Sequence, residues 1–299
     1  MAKTRILIAI DEPSWAKTIV HAAYNFIDKK NSEVTLLNVI ETSIAEEGYF
    51  YSQPEKFIKH EAEKENFTLL ENFLENSDVD YKGFIYKEGN ASETIIKLTE
   101  NAEYDLLVIG SHNKNAIERL LLGSVAYKVT RFGKTSVLVV DSKCHIEAAD
   151  LTSFSILMGV DTSDDSFYAA ETLWKFIDKD RAGVTLLNVM IEPSLIIPPD
   201  AYIYLDMNKI IEEACLVSEN LLDLTASKLE AHGIKVVKKY HVEGDAAAMI
   251  LDEAEENKHD LIVVGSHGGG KLSRWLLGSI STKVYEHAKQ PVLIIKQGK

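Results

Sequence analysis

Cysteine is scarce in this chain of 299 residues: there are two, Cys144 and Cys215. They occupy unrelated places and make no Cys-x-x-Cys pair. That excludes a disulfide framework and a cysteine metal site, and it fits incidental thiols in a reducing cytoplasm. Cations are short as well, with 32 Lys and Arg against 46 Asp and Glu and a net charge of −14. Nucleic-acid surfaces neutralise phosphates with Lys and Arg, so a general nucleic-acid partner is excluded. An anionic ligand must be gripped by local N–H groups and a few cations, not by the overall field. The apolar run that follows Arg5 ends at Ile10, too short for a signal h-region or a membrane span. The expectation is a cytoplasmic protein with no membrane partner.

What is present is a repeat. Ile6-Leu-Ile-Ala-Ile-Asp11 returns as Ile156-Leu-Met-Gly-Val-Asp161, and Val34-Thr-Leu-Leu-Asn-Val39 as Val184-Thr-Leu-Leu-Asn-Val189, both 150 residues on. Asp105-Leu-Leu-Val-Ile-Gly-Ser-His112 returns as Asp260-Leu-Ile-Val-Val-Gly-Ser-His267, 155 residues on. Glu88-Gly89 and Glu243-Gly244 already show the larger offset, so five residues are inserted between Val189 and Glu243. A repeat this long is a duplicated domain, and the length prior agrees. The domains are expected at 1–147 and 151–299.

Each copy alternates strand and helix patterns. In the first, strands are expected at 5–10, 33–40, 81–86, 106–109 and 136–140, and helices at 13–27, 54–75, 92–101 and after Gly123. In the second, the clearest helix spans 208–231; Ile210, Ala214, Val217, Leu221 and Leu224 mark the face expected in the core. Gly233 is its expected C′ residue. The insertion, with Pro198, Pro199, Tyr202 and Tyr204, reads as a loop. Continuous apolar strands between helices give a parallel sheet with both faces covered. The fold class is therefore α/β: two tandem doubly wound five-stranded parallel sheets, each of order 3-2-1-4-5. Such sheets bind ligands at the carboxyl ends of strands 1 and 4, where the order reverses. The last strands, 136–140 and 291–295, are apolar and equivalent. They are expected to pair as an intrachain pseudo-dimer, with a homodimer as a further level of assembly.

The unusual residues cluster at those carboxyl ends. Gly265-Ser266-His267-Gly268 is followed after nine residues by Gly278-Ser279. Glycine lets the backbone turn and approach a ligand closely. The helix opened by Gly278 and Ser279 presents N–H groups with no intrahelical partner, at the positive end of its dipole. A phosphate satisfies them. Ser279 and Ser281 are candidate hydroxyl donors, and Lys271 and Arg274 are the nearest cations. Asp161, ending strand 1, is placed to accept ribose hydroxyls, and equally to cap the next helix. In the first copy Asn113 replaces the loop's second glycine and Ala126 replaces Ser281. That predicts a weaker or empty crevice lined by Asp11, Val39, Gly110, Gly123 and Ser124. His112 and His267 read as turn residues with a ring near the ligand, since no carboxylate at fixed spacing accompanies both.

Taken together, the aspartate after strand 1, the Leu-Leu-Asn-Val of strand 2 and the G-x-x-G-x9-G-[S/T] loop resemble the universal stress protein family, twice over nearly the whole chain. The resemblance implies an adenine nucleotide alpha-hydrolase-like fold and a tandem, ATP-binding member. It implies phosphates at Gly265, Ser266, His267, Gly268, Gly278, Ser279, Ile280 and Ser281, ribose at Asp161, and adenine at the backbone of Val189. The implied ligand is ATP or AMP, with Mg2+ as an optional companion. The implied role is a stress-response regulator, read by an unknown protein partner and with at most slow hydrolysis. Two rival readings remain. One is an enzyme of a related nucleotide-binding fold, although the chain has neither the H-x-G-H nor the S-G-G-x-D-S loop such enzymes need. The other is a nucleotide-free scaffold.

Overall fold

The computed structural model describes residues 2–40, 67–100, 103–111, 123–141, 144, 151–191, 205–267 and 277–297. The chain separates into two compact units, Met1–Leu151 with Gly298–Lys299, and Thr152–Gln297. The first runs β1 (Thr4–Ala9), α1 (Pro13–Phe26), β2 (Ser32–Ile40), α2 (described over 67–75), β3 (Asp80–Glu88), α3 (Ala91–Glu100), β4 (Leu106–Gly110), α4 (Ser124–Phe132) and β5 (Ser136–Val140). The second runs β6 (Phe154–Val160), α5 (Asp164–Thr172), β7 (Ala182–Met190), α6 (Met207–Ala231), β8 (Lys235–Glu243), α7 (Ala246–Glu256), β9 (Leu261–Gly265), α8 (Ser279–His287) and β10 (Val292–Ile295).

Within the first unit the strand order is β3-β2-β1-β4-β5, and within the second β8-β7-β6-β9-β10. Every neighbouring pair inside a unit is parallel. Both sheets thus have the order 3-2-1-4-5. Successive strand residues point to opposite faces, yet Ile6, Leu7 and Ile8 are all buried, as are Ile156, Leu157 and Met158. Both faces of each sheet are therefore covered, as a parallel sheet requires.

Two polar devices recur at the offsets of the repeat. At the amino ends of the central strands, Asp105 Oδ2 accepts the Arg5 N–H at 2.8 Å and Asp260 Oδ2 accepts the Ser155 N–H at 2.7 Å. At the carboxyl ends, the Asn38 side chain donates to Ile10 O at 2.9 Å and the Asn188 side chain to Val160 O at 2.8 Å. Both asparagines are buried. Each ties the second strand to the last residue before the strand-1 aspartate, and so fixes where Asp11 and Asp161 begin. Asn188 Oδ1 in turn accepts the buried Ser218 hydroxyl of α6 at 2.7 Å. Asn188→Ala leaves that hydroxyl and the Val160 carbonyl without their partner. It should destabilise the second unit by about 1–3 kcal/mol, read as a lower urea midpoint.

The same bond corrects the expected orientation of α6. Its buried face carries Ser218, Leu221, Leu222, Thr225, Ala226 and Leu229, whereas Val217 is 59 % and Leu224 51 % exposed. The helix is turned so that Ser218 meets Asn188, and a hydrogen-bonded serine displaces part of the apolar stripe from the core. The end of α6 follows the sequence: Gly233 takes φ +80° and its N–H donates to Glu230 O at 2.9 Å, the positive φ that favours glycine at C′. The residues of the insertion from Pro198 to Tyr204 lie outside the described part of the chain.

Candidate functional site

Gly265, the last residue of β9, passes against the first turn of α5. A Cβ there would stand 3.1 Å from Asp165 C, 3.1 Å from Ser166 N and 3.2 Å from Asp165 O. Glycine is needed for this close approach and not for a positive φ, which Gly265 does not have. The chain then continues through Ser266, whose carbonyl accepts the Gly278 N–H at 2.8 Å. That bond seats the start of α8 beside the end of β9. Gly278 is the N-cap of α8 and no side chain caps the helix. Thr282 is the first residue served from within, by Gly278 O at 2.9 Å. The N–H groups of Ser279, Ile280 and Ser281 are left without intrahelical acceptors.

Ser281 does not offer its hydroxyl as expected. It is buried, and its Oγ–H donates to Gly265 O at 2.7 Å, so the hydroxyl closes the loop onto the helix. An anion would have to break that bond to use it. Its counterpart Ala126 is likewise buried, so the first copy lacks a loop-closing bond and not a free donor.

Asp161 follows β6. Its Oδ1 accepts the Ser163 N–H at 3.0 Å and the Ser163 hydroxyl at 2.5 Å. The N-cap of α5 is Ser163, whose Oγ accepts the Ser166 N–H at 3.1 Å; Asp161 is not the cap. Ser163 Oγ also lies 3.0 Å from His267 O, which brings the β6 and β9 ends together. The register Val160↔Asn188 sets Val189 one step further along, level with Asp161.

A cluster unforeseen from the sequence sits between them. Asp165 Oδ2 accepts the Ser266 hydroxyl at 2.5 Å and meets His267 Nδ1 at 2.7 Å, while Ser266 Oγ and His267 Nδ1 stand 3.0 Å apart. An ionised carboxylate only accepts, so Nδ1 carries the ring hydrogen. Nε2 is shielded from solvent and has no hydrogen-bond partner. The connectivity differs from a nucleophile triad. There the histidine accepts from the serine, whereas here serine and histidine both donate to the aspartate.

The first unit builds part of this. The Gly123 N–H donates to Ser111 O at 2.9 Å, Gly123 is the N-cap of α4, and no side chain caps that helix. Ser124 thus opens an uncapped helix as Ser279 does. Asp11 is exposed and accepts the adjacent Glu12 N–H at 2.7 Å, and Val39 lies half-buried near the end of β2. A Cβ on Gly110 would press only on the Ile19 side chain, with Cδ1 at 2.9 Å and Cγ1 at 3.6 Å, while the nearest main-chain atom, Val140 O, stands at 3.9 Å. Pro13 and Trp15 stand where the second copy has Ser163 and Asp165. Ser111 instead donates to Asp141 Oδ2 at 2.7 Å. Gly268, His112, Asn113, Lys114, Lys271 and Arg274 lie outside the described residues.

Lys296 stands where the repeat places Asp141. It follows Ile295, the register partner of Gly265, and is 9 % exposed. Burial pulls its ammonium down to about 7. The unfolded chain keeps that proton up to the ordinary lysine range near 10.4. Between those values the unfolded state binds more protons, so the term favours folding increasingly as pH rises. Against Lys296→Met, the wild type should therefore gain stability from about pH 7 to pH 10, measured as a narrowing gap between the two melting curves.

The model of the family described as "Universal stress protein family" matches residues 3–141 and again 154–296. The chain belongs to the universal stress protein family. As a tandem member it is 26 % identical over 299 residues to a universal stress protein of Mycolicibacterium smegmatis, covering 97 % of this chain and 96 % of the relative. A universal stress protein of Mycobacterium bovis is 30 % identical over 206 residues, covering 68 % of this chain and 65 % of the relative. Among solved structures, a universal stress protein from Archaeoglobus fulgidus superposes with a TM-score of 0.64 at 21 % identity, covering 100 % of this chain and 98 % of that one. That likeness supports the fold.

Within this universal stress protein, the described residues hold no group of three or more His, Cys, Asp or Glu side chains arranged for a metal ion. No helix among them is long and apolar enough to cross a membrane. The sequence reading missed Asp165 and Asn188. Asn188 was in plain view as the polar member of a repeated apolar strand. Asp165 left no such signal, because its counterpart in the other copy is Trp15.

Proposed function

We propose that the second unit binds an adenine nucleotide, ATP or AMP, in the crevice between the ends of β6 and β9. The observation that carries this is the uncapped start of α8, held beside the Gly265 turn by the Gly278–Ser266 bond of 2.8 Å. Three main-chain N–H groups at the positive end of a helix dipole suit a phosphate. Asp161, whose Oδ1 is held by Ser163, has its second oxygen for ribose hydroxyls, and Val189 is level with it for the base. Mg2+ would arrive with the phosphates, which is how this ion is usually bound. The protein acts in the cytoplasm as a stress-response regulator. Nucleotide occupancy is the signal, and a protein partner reads it. The first unit binds more weakly, because Pro13 and Trp15 remove the Ser163 and Asp165 contacts that organise the second crevice.

Calorimetric titration with ATP and AMP tests the reading. The expected result is saturable binding that Asp161→Ala weakens by about tenfold or more, the loss of roughly one charge-assisted hydrogen bond. Unchanged affinity in Asp161→Ala would remove the ribose role. No binding to the wild type would return the protein to a nucleotide-free scaffold.

A further inference from the structure

Three positions of the second unit break the repeat together. Tyr240, Glu253 and His259 stand 155 residues after Ile85, Leu98 and Tyr104. The strand register agrees, since Tyr240 pairs with Leu187 and Ile85 with Leu37. The second unit thus has a phenol and a carboxylate where the first has two aliphatic side chains, and an imidazole where the first has a phenol. The three come from separate elements: Tyr240 from β8, Glu253 from α7, and His259 from the turn between α7 and β9. Glu253 joins them. Its Oε1 lies 3.6 Å from His259 Nε2, and burial together with this carboxylate pushes the Tyr240 phenol up. His259 precedes the amino end of β9 and Gly265 is its carboxyl end, so this place is separate from the crevice.

The trio is enclosed and unsatisfied. His259 is 8 % exposed. Both of its ring nitrogens and the Tyr240 hydroxyl are shielded from solvent and make no hydrogen bond. Buried polar atoms in folded proteins are nearly always paired, so orphans gathered in one place ask for an absent partner. A largely buried carboxylate beside them asks for positive charge. The 3.6 Å between Glu253 Oε1 and His259 Nε2 exceeds the usual hydrogen-bond range of about 2.7–3.2 Å. It suits two ligands of one tetrahedral ion, whose bonds of about 2.0–2.2 Å set ligand atoms about 3.4 Å apart. An imidazole with oxygen donors suits zinc and its neighbours, whereas Mg2+ prefers oxygen alone. With a phenol as third donor, the trio is not a cluster of three His, Cys, Asp or Glu, of which the described residues hold none. The Lys238 ammonium lies over the face of the Tyr240 ring, 4.0 Å from its centroid. We infer that the second unit binds one divalent ion of the zinc type through His259 Nε2, Glu253 Oε1 and the Tyr240 oxygen, with water as the fourth ligand. The ion supplies the charge the carboxylate calls for and favours the phenolate against the effect of burial. The first unit has no such site, because Ile85 and Leu98 offer no donor.

The test uses the untagged full chain, stripped with a chelator and titrated with Co2+, Zn2+, Cu2+ and Mg2+. Co2+ is expected to bind at about one ion per chain with the strong visible absorption of a tetrahedral site, and Zn2+ to displace it while Mg2+ does not. Cu2+ should give a phenolate charge-transfer band that Tyr240→Phe abolishes. His259→Gln and Glu253→Gln should each weaken Zn2+ binding by about tenfold or more, since even outer contacts of a metal site cost that much. Zn2+ should raise the Tm of the wild type. It should leave unchanged the triple variant Tyr240→Ile, Glu253→Leu, His259→Tyr, which carries the first unit's residues and is expected to fold. Binding that survives in the triple variant places the metal on other side chains and overturns the inference. So does a wild type that binds no ion, in which case trapped water fills the gap. Neither result bears on the ATP titrations, because the two sites lie at opposite ends of β9.

Discussion

ATP binding by the second unit is expected to disappear in Gly265→Val, with a stability loss of about 1–3 kcal/mol. The argument starts from what a side chain at this position would touch. The nearest atoms to a Cβ are Asp165 C and Ser166 N at 3.1 Å and Asp165 O at 3.2 Å. They are main-chain atoms in the first turn of α5, so no rotamer change can move them aside. The two further methyls of valine widen the clash. The strand end or the helix must shift, and α5 carries Asp165 while the strand end carries Ser266 and His267. The Ser281 bond to Gly265 O and the Gly278 bond to Ser266 O are both tied to the displaced segment. The start of α8 then loses its seat beside the crevice. Gly110→Val makes the comparison. Its nearest neighbour would be Ile19 Cδ1 at 2.9 Å, the mobile tip of a side chain that can turn away, so the stability loss there should be smaller. Chemical denaturation and ATP calorimetry on both variants check this. Equal stability losses, or retained ATP affinity in Gly265→Val, would show that the close approach at Gly265 is not what shapes the site.

The contrast between the two glycines shows how far sequence reasoning reaches in this chain. The repeat made the strand order legible, because equal offsets in apolar strands and in Asp105 and Asp260 require equal elements in equal order. It also set Gly110, Gly265 and the strand-1 aspartates at the sheet's reversal point, because they stand at the ends of the first and fourth strands of each copy. Burial inside α6 was less legible. Val217 and Leu224 fit a helical stripe, but a stripe says nothing of the hydrogen bond that draws Ser218 to Asn188. The Asp165 cluster was illegible for a different reason. Duplication highlights what two copies share, and this cluster is what they do not: Trp15 and Asp141 in one, Asp165 and Lys296 in the other. In one copy Ser111 bonds Asp141, and in the other Ser266 bonds Asp165. The hydroxyl is kept and its partner changes element, a substitution that only the three-dimensional placement of α5 reveals.

Stability and binding can be separated at Ile262, which yields the second large effect. Ile262 is fully buried in the middle of β9, in register with Leu157 on one side and Val292 on the other. Ile262→Ala removes three carbons from a core packed on both faces of the sheet. It should cost about 2–5 kcal/mol, through lost transfer energy and the cavity left behind. The urea midpoint should fall while the slope stays unchanged. The substitution lies three residues before Gly265, in the buried part of the strand. A nucleotide that binds only the folded state adds the same increment to any variant whose site is intact, about 2.7 kcal/mol at a hundredfold excess over Kd. ATP should therefore raise the urea midpoint of Ile262→Ala as much as that of the wild type, although the variant starts far lower. Gly265→Val should gain nothing from ATP, although it starts higher than Ile262→Ala. A strand residue that matters only for stability and a turn residue that matters for both would then be distinguished on one strand, three positions apart. If ATP failed to protect Ile262→Ala, the crevice would depend on packing deep in β9, and main-chain geometry at the strand's end would not be sufficient to hold a phosphate.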